Sequence, residues 1–194
     1  MKLKVIGLTG YARSGKDTAV SFLVEKGFVR VSFADALREA ALALDPIIPL
    51  EFEASGSVSP FTACMRLSEL VAGEGWERAK EFSEVRRTLQ RIGTEAGRDI
   101  HGIDCWVNIA ADKASRALEA GKSVAFSDVR FSNELAAIVR LAGWYDAECS
   151  IYRISRKGVG PINNHSSDII DLKWDGEIHN DSDIETFRQQ VLAL

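Results

Sequence analysis

Leu3-Lys4-Val5-Ile6-Gly7-Leu8-Thr9-Gly10-Tyr11-Ala12-Arg13-Ser14-Gly15-Lys16-Asp17-Thr18 is the stretch on which the architecture turns. Its first seven residues form a short apolar run of the kind that makes a buried strand. Gly10 to Lys16 then matches G-x-x-x-x-G-K, and Asp17 to Lys26 carries Ala19, Phe22 and Leu23 at helical spacing until Gly27 closes the segment. Strand, glycine-rich turn and helix in this order are the context a phosphate-binding loop requires. The glycines let the backbone curl so that N–H groups converge on an anion, the helix adds its positive end, and Lys16 adds a mobile charge.

Outward from that loop the alternation continues. Phe28 to Phe33 reads as a second strand, and Asp35 to Leu44 as a helix stopped by Asp45-Pro46. Ile47 to Pro60 has Pro, Gly and Ser punctuation and reads as loop. Thr62 to Ala72 and Trp76 to Phe82 read as short helices split by Gly73-Glu74-Gly75, followed by helices at Glu84 to Arg98 and Asp104 to Glu119. Ser123 to Asp128 is a buried-type strand, Asn133 to Ala142 a helix ended by Gly143, and Glu148 to Ile154 a strand. After an irregular stretch, Glu177 to Asn180 is a short strand. Ser182-Asp183-Ile184-Glu185 then matches a capping box, opening a last helix with Ile184, Phe187 and Val191 on one side. Alternating βαβ units imply an α/β fold, a parallel sheet with helices on both faces. Two segments break the alternation, one near Pro46 to Arg98 and one near Arg156 to Trp174.

Composition narrows the function classes. The 194 residues are 46% hydrophobic and 27% charged, which fits one globular domain and excludes fibrous or disordered chains. No apolar run is long enough to span a bilayer, so no membrane association is expected. Met1 to Thr9 is too short for a secretory signal and lacks its cleavage pattern. Cys64, Cys105 and Cys149 are far apart and form no C-x-x-C pair, which suggests neither disulfides nor zinc and points to a reducing, cytoplasmic setting. A net charge of −4 argues against a nucleic-acid polymer as partner. The basic residues are nevertheless 15 Arg to 9 Lys, and arginine suits bidentate contact with phosphate.

In an open parallel sheet, ligands bind beyond the carboxyl ends of the strands. Two carboxylates fall there besides the phosphate loop. Asp35 follows strand two and is placed to orient an attacking phosphate or hydroxyl; Asp128 follows Val124-Ala125-Phe126 and is placed to hold Mg²⁺ or its waters. Either could instead be a simple helix cap. Asp17 stands where most phosphate loops have a Ser or Thr that ligates Mg²⁺, and it can serve as a direct or water-mediated ligand, as can Thr18 beside it. On the helix from Glu84, Val85, Leu89, Ile92 and Ala96 form one stripe, and Arg87, Arg91 and Arg98 another. The arginines make either a solvated face, paired with Glu84 and Glu95, or a phosphate clamp centred on Arg98. Arg153, Arg156 and Lys157 lead into Gly158-Val159-Gly160-Pro161, a basic loop able to close over a phosphoryl group. His101, His165 and His179 lack ligand spacing, and the tryptophans read as packing residues, with Trp76 near enough to the insertion to border a base.

At these residues the chain resembles the phage-type deoxynucleoside monophosphate kinases of the P-loop nucleoside monophosphate kinase fold. The resemblance spans nearly the whole length and rests on GYARSGKDT (Gly10 to Thr18), SFADALR (Ser32 to Arg38), LQRIGTEAGRD (Leu89 to Asp99), SDVRFSNE (Ser127 to Glu134) and RISRKGVGPINNHSS (Arg153 to Ser167). Aspartate after the loop lysine is a feature of that family. Ser132, for a usual proline, and Ser167-Asp168, for Ser-Glu, depart from its pattern. The resemblance implies a three-layer P-loop NTPase fold whose five-stranded parallel sheet has the order 2-3-1-4-5. The core would comprise about residues 1–44, 99–155 and 175–194, with a helical acceptor-binding insertion at about 45–98 and a lid at about 156–174. It implies transfer of the γ-phosphoryl group of ATP to a (deoxy)nucleoside 5′-monophosphate, directly and in line, with Mg²⁺ and in deoxynucleotide metabolism; the host cytoplasm is the setting if a phage encodes the chain.

By position, Gly10, Ala12, Arg13, Ser14, Gly15, Lys16, Asp17 and Thr18 would hold ATP, with Asn180 near the adenine. Asp35, Arg38, Arg91, Arg98, Asp128 and Arg130 would contact the acceptor. Lys16, Asp35, Arg130, Arg153 and Arg156 would form the catalytic set, the last two from the lid, and Asp17 and Asp128 the metal ligands. The partners are small-molecule nucleotides, and a homodimer is compatible with this reading. Two alternatives stay open: a P-loop kinase for another small acceptor such as dephospho-coenzyme A, and a nucleotide-driven switch, against which the missing Asn-Lys-x-Asp guanine box weighs.

Overall fold

The computed structural model describes residues 2–50, 63–160 and 172–194. In chain order the elements are β1 (Lys4–Thr9), α1 (Lys16–Glu25), β2 (Val29–Val31), α2 (Asp35–Leu44), β3 (Ile47–Leu50) and β4 (Ala63–Arg66). There follow α3 (Leu67–Ala79), α4 (Ser83–Arg91), a π-helical segment (Ile92–Arg98), α5 (Asp99–His101) and α6 (Cys105–Glu119). The chain closes with β5 (Val124–Phe126), α7 (Ser132–Trp144), β6 (Glu148–Ser155), β7 (Gly176–His179) and α8 (Ile184–Leu192). It divides into two compact units, Met1–Ala34 with Val107–Leu194, and Asp35–Trp106.

In the first unit the described residues form a five-stranded, all-parallel sheet in the order β2-β5-β1-β6-β7. Counted within this sheet alone, that is the expected 2-3-1-4-5. The period-two alternation of β1 separates two cores. Ile6 and Leu8 pack with Ala19, Val20 and Leu23 of α1 and Phe187 and Val191 of α8. Val5 packs on the other face with α6 and α7, through Val107, Ala114, Ile138 and Leu141. Gly7 looks toward that second layer, where a Cβ would come within 2.6 Å of Ile151 Cδ1 on β6 and 3.3 Å of Ile138 Cδ1 on α7, so those two side chains leave no room for one there. This is the three-layer arrangement that the alternating pattern predicts.

The last helix starts differently from expectation. Its cap is Asp183, whose carboxylate accepts the N–H groups of Glu185 and Thr186, both at 3.0 Å; Ser182 plays no part. A carboxylate gains from the helix dipole where a serine does not, so the acidic residue takes the cap. The start shifts by one, which leaves Ile184 62% exposed while Phe187 and Val191 are buried.

The second unit has its own core of Ala41, Ile48, Leu67, Leu70, Ala79 and Val85. Here the sequence reading needs two corrections. Ile47 to Leu50, expected as loop, is a strand pairing antiparallel with Ala63 to Arg66, expected as the start of a helix. Pro49 is tolerated because both strands of a two-stranded sheet are edges, and a long-range partner leaves no mark on local periodicity. The two helices expected either side of Gly73-Glu74-Gly75 are present within α3, meeting at a kink at Gly75, where φ is 74° and ψ 165°.

The second correction concerns the helix from Glu84 to Arg98. It is α-helical only to Arg91 and then widens into the π segment. Wider turns rotate the buried stripe, so Gly93 and Gly97 are buried in place of Ala96. Trp106 accounts for this: its Nε1 donates to Gly93 O at 2.9 Å, and a Cβ on Gly97 would stand 2.7 Å from its ring. Two glycines four apart give the indole a flat surface, and the widened turn frees a carbonyl for it. Residues 51–62 and 161–171, which hold part of the expected loop and most of the expected lid, lie outside the described residues.

Candidate active site

A parallel sheet brings all its carboxyl ends to one edge. In the first unit that edge carries Gly10 to Lys16 after β1, Ser32 to Ala34 after β2, Ser127 to Arg130 after β5, Arg156 after β6 and Asn180 after β7.

The phosphate loop needs a backbone most residues resist. Gly10 has φ 141° and Gly15 φ 105°, and Arg13 adopts φ 67° despite its side chain. A Cβ on Gly10 would sit 2.3 Å from the carbonyl oxygen of Ile154, and one on Gly15 would sit 2.4 Å from Asn180 Nδ2. Both glycines are therefore required by close approach as well as by dihedral. The same asparagine donates Nδ2 to Ser14 O at 2.9 Å and its backbone N–H to Ser155 O at 2.8 Å, tying the loop to the end of β6. Lys16 is buried, and its ammonium donates to Gly10 O at 2.7 Å and Tyr11 O at 2.8 Å, arching over the loop.

Two features of this loop ask for an anion. α1 begins at Gly15 with no side-chain cap, so the N–H groups of its first turn are not answered by a capping oxygen. Ser14 is 1% exposed, and its Oγ has no hydrogen-bond partner among the described residues. A buried hydroxyl beside an uncapped helix start is an unmet demand that a phosphate oxygen satisfies. Asp17 and Ala12 are exposed, and Thr18 is half-buried.

Asp128 is engaged by its neighbours. Its carboxylate accepts Ser32 Oγ–H at 2.7 Å, Phe33 N–H at 2.9 Å and Ala34 N–H at 3.1 Å. Three of its roughly four acceptor positions are thus filled, and the turn after β2 is locked to the turn after β5. The latter is further held by Ser127 N–H to Val31 O and Val129 N–H to Leu8 O, both at 3.0 Å. Arg130 extends from it with an exposed side chain.

Arg153, on β6 opposite Thr9, is caged. Its guanidinium lies 5.6 Å from the ring centre of Tyr11 and 4.9 Å from that of Trp174, with Glu177 Oε1 3.9 Å from Nε. The Trp174–Arg153–Tyr11 stack has no sequence signal, since its members lie far apart in the chain. Arg156 is exposed at the close of β6.

The second unit holds the remaining expected residues. Asp35 and Arg38 occupy the first turn of α2, and the Arg38 guanidinium lies 5.7 Å from the ring centre of Trp76. Arg91 pairs with Glu95 at 3.1 Å and Arg87 with Glu84 at 3.6 Å, the helix-surface pairings that spacing suggests. Arg98 closes the π segment and is half-buried.

No protein-family model matches the chain. A protein of Acanthamoeba polyphaga mimivirus named "Putative deoxynucleotide monophosphate kinase" is 27% identical over 217 residues, covering 97% of this chain and 94% of that protein. Among solved structures, the Mycobacterium tuberculosis APS kinase CysC in complex with AMPPNP and APS aligns with 99% of this chain and 96% of its own. Its TM-score is 0.53 at 12% identity. A dephospho-CoA kinase from Campylobacter jejuni aligns with 97% of this chain and 94% of its own, with a TM-score of 0.45 at 14% identity. The chain has the three-layer α/β P-loop fold. No helix among the described residues is long and apolar enough to cross a membrane.

Proposed function

We propose that this chain transfers the γ-phosphoryl group of ATP to the phosphate of a (deoxy)nucleoside 5′-monophosphate, giving ADP and the diphosphate. The observation that carries this reading is the loop at Gly10 to Lys16: an uncapped helix start, a buried unpartnered Ser14 hydroxyl and a lysine ammonium converge on one strand end. The name of the mimiviral relative supports a deoxynucleotide as acceptor.

An acceptor phosphate oxygen is already nucleophilic at neutral pH, so no residue need act as a covalent nucleophile. The bond from Pγ to the β-phosphate oxygen breaks as the acceptor oxygen bonds to Pγ. The protein's part is to position both partners and neutralise the charge passing between them. The loop amides, Ser14 and Lys16 hold the triphosphate. Arg130, Arg153 and Arg156 supply positive charge, with Arg153 prevented from swinging by its two aromatic neighbours. Asp35, Arg38, Arg91 and Arg98 are the candidates for holding the acceptor. Magnesium, held by Asp17, would supply positive charge to offset that of the phosphates. It takes one or two carboxylates plus phosphates and waters, which suits the exposed Asp17. Asp128, with three acceptor positions filled, serves better as a brace between the two turns.

The test is an acceptor panel of deoxy- and ribonucleoside monophosphates with ATP and Mg²⁺, read as ADP released and diphosphate formed. Turnover of at least one monophosphate is expected. Turnover of dephospho-coenzyme A alone, or slow ATP hydrolysis indifferent to every acceptor, overturns the reading.

A further inference from the structure

Glu134 is the one acidic side chain buried among the described residues, at 5% exposure. Its Oε2 accepts two backbone N–H groups, from Phe131 at 3.0 Å and from Arg130 at 2.7 Å. The bond to Phe131, the cap residue of α7, is the carboxylate half of a capping box. The shorter bond to Arg130 lies outside the helix and is not needed to start it. Together with the Phe131 bond it holds the amides on both sides of the Arg130 Cα, and the Val129 N–H to Leu8 O bond fastens the residue before; the Arg130 side chain itself is exposed. Burying a carboxylate is costly. A surface Glu or Gln would cap α7 as well without that cost, so the burial needs a second reason, and the Arg130 N–H supplies one.

We propose that Glu134 is a positioning residue that sets the aim of the Arg130 guanidinium by gripping the backbone N–H of Arg130. The proposal rests on the reading above, in which Arg130 meets the phosphoryl groups. Displacing a charge-stabilising group by as little as 1 Å can cost about a hundredfold in rate, so a grip on the main chain is enough to matter.

A double-mutant cycle tests it, with monophosphate kinase activity as readout and thermal melting as a check on folding. Arg130→Ala is expected to lower kcat/KM. Glu134→Ala is expected to lower the same kinetic parameter by up to about a hundredfold, and Glu134→Gln, which keeps an amide oxygen for the two N–H groups, to recover most of it. In the Arg130→Ala background, Glu134→Ala should cost no more than about twofold, because its effect runs through the missing guanidinium. Should Glu134→Ala fail to fold, Glu134→Asp, whose carboxylate is one methylene short of both N–H groups, takes its place in the cycle. Lower melting with unchanged kcat and KM would reduce Glu134 to a helix cap, and an undiminished penalty in the Arg130→Ala background would show that it acts elsewhere; either overturns the proposal. An Arg130→Ala variant as active as the parent also overturns the proposal, whereas a parent with no monophosphate kinase activity breaks the functional reading instead.

Discussion

The phosphate loop and the arginine-bearing helix of the second unit are both basic, both glycine-containing and both expected to handle phosphate, yet they are built in opposite ways. The loop is held from outside itself. Ile154 O and Asn180 press on its glycines, and Lys16 arches back onto two of its carbonyls. The helix answers its own arginines, with Arg87 and Arg91 paired to glutamates one turn away and more than half exposed. Preorganised donors in a buried setting are worth far more than exposed charges that water and neighbours already satisfy. A basic residue's energetic weight therefore follows from who holds it, and the two regions should respond very differently to the same kind of change.

The largest difference is expected at Lys16. Lys16→Ala should lower kcat by about a thousandfold with the fold retained, as judged by circular dichroism and steady-state kinetics; turnover within a few-fold of the parent would erase the contrast. Gly10→Ala should act on the scaffold as well. A φ of 141° costs an L-residue about 1–3 kcal/mol, and the new Cβ would collide with Ile154 O. Urea unfolding should show a loss of about that size together with weakened binding of ADP. Gly73→Ala is the control, since a Cβ there meets nothing within 4 Å.

The same contrast governs what could be read from sequence. The loop was legible because its chemistry is local: Gly10, Gly15 and Lys16 lie within seven residues, between a strand and a helix whose periodicities are clear. The alternation was enough for a parallel sheet with helices on both faces, and the strand order followed from the resemblance alone. The supports were illegible because they are distant in the chain: Asn180 on Ser14, Trp174 and Tyr11 on Arg153, Asp128 on the turn after β2. The β3–β4 pair was missed because strand pairing between separated segments has no local period, and the buried face of residues 92–98 because a constant 100° per residue was assumed where Trp106 imposes a wider turn.

Glu134 sharpens the comparison within the first unit. Burial lifts its carboxyl from the ordinary 4.5 to about 7, against the pull of the Arg130 and Phe131 N–H groups, with Asp128 pushing the same way as burial. Below pH 4.5 folded and unfolded chains both carry the proton, and no penalty exists. As pH rises from about 4.5 to about 7 the unfolded chain ionises first, so folded stability drains away, by up to about 3 kcal/mol, and levels off above that. Glu134→Gln has no proton to lose. Its stability relative to the parent should therefore improve between pH 4.5 and pH 8, measured by urea unfolding at both ends. A difference that stays flat across this range would mean the carboxyl titrates normally.

The smallest effects belong to the arginine helix, and they separate its members. Arg98, half-buried at the end of the π segment, is expected to matter to the acceptor: Arg98→Ala should raise KM for the monophosphate about tenfold, the cost of one charged hydrogen bond, with KM for ATP little changed. Arg91 is 62% exposed and paired with an equally exposed Glu95 one turn on. Such a pair contributes about 0.3–0.5 kcal/mol, so Arg91→Ala should shift the urea midpoint only slightly, and less still at high salt. If it also left KM unchanged, the clamp would shrink to Arg98 and the exposed arginines would be solvated helix surface. A rise in KM matching that of Arg98→Ala would instead show that an exposed, already paired guanidinium can be recruited by substrate, and being held from outside would no longer distinguish the phosphate-handling residues of this chain.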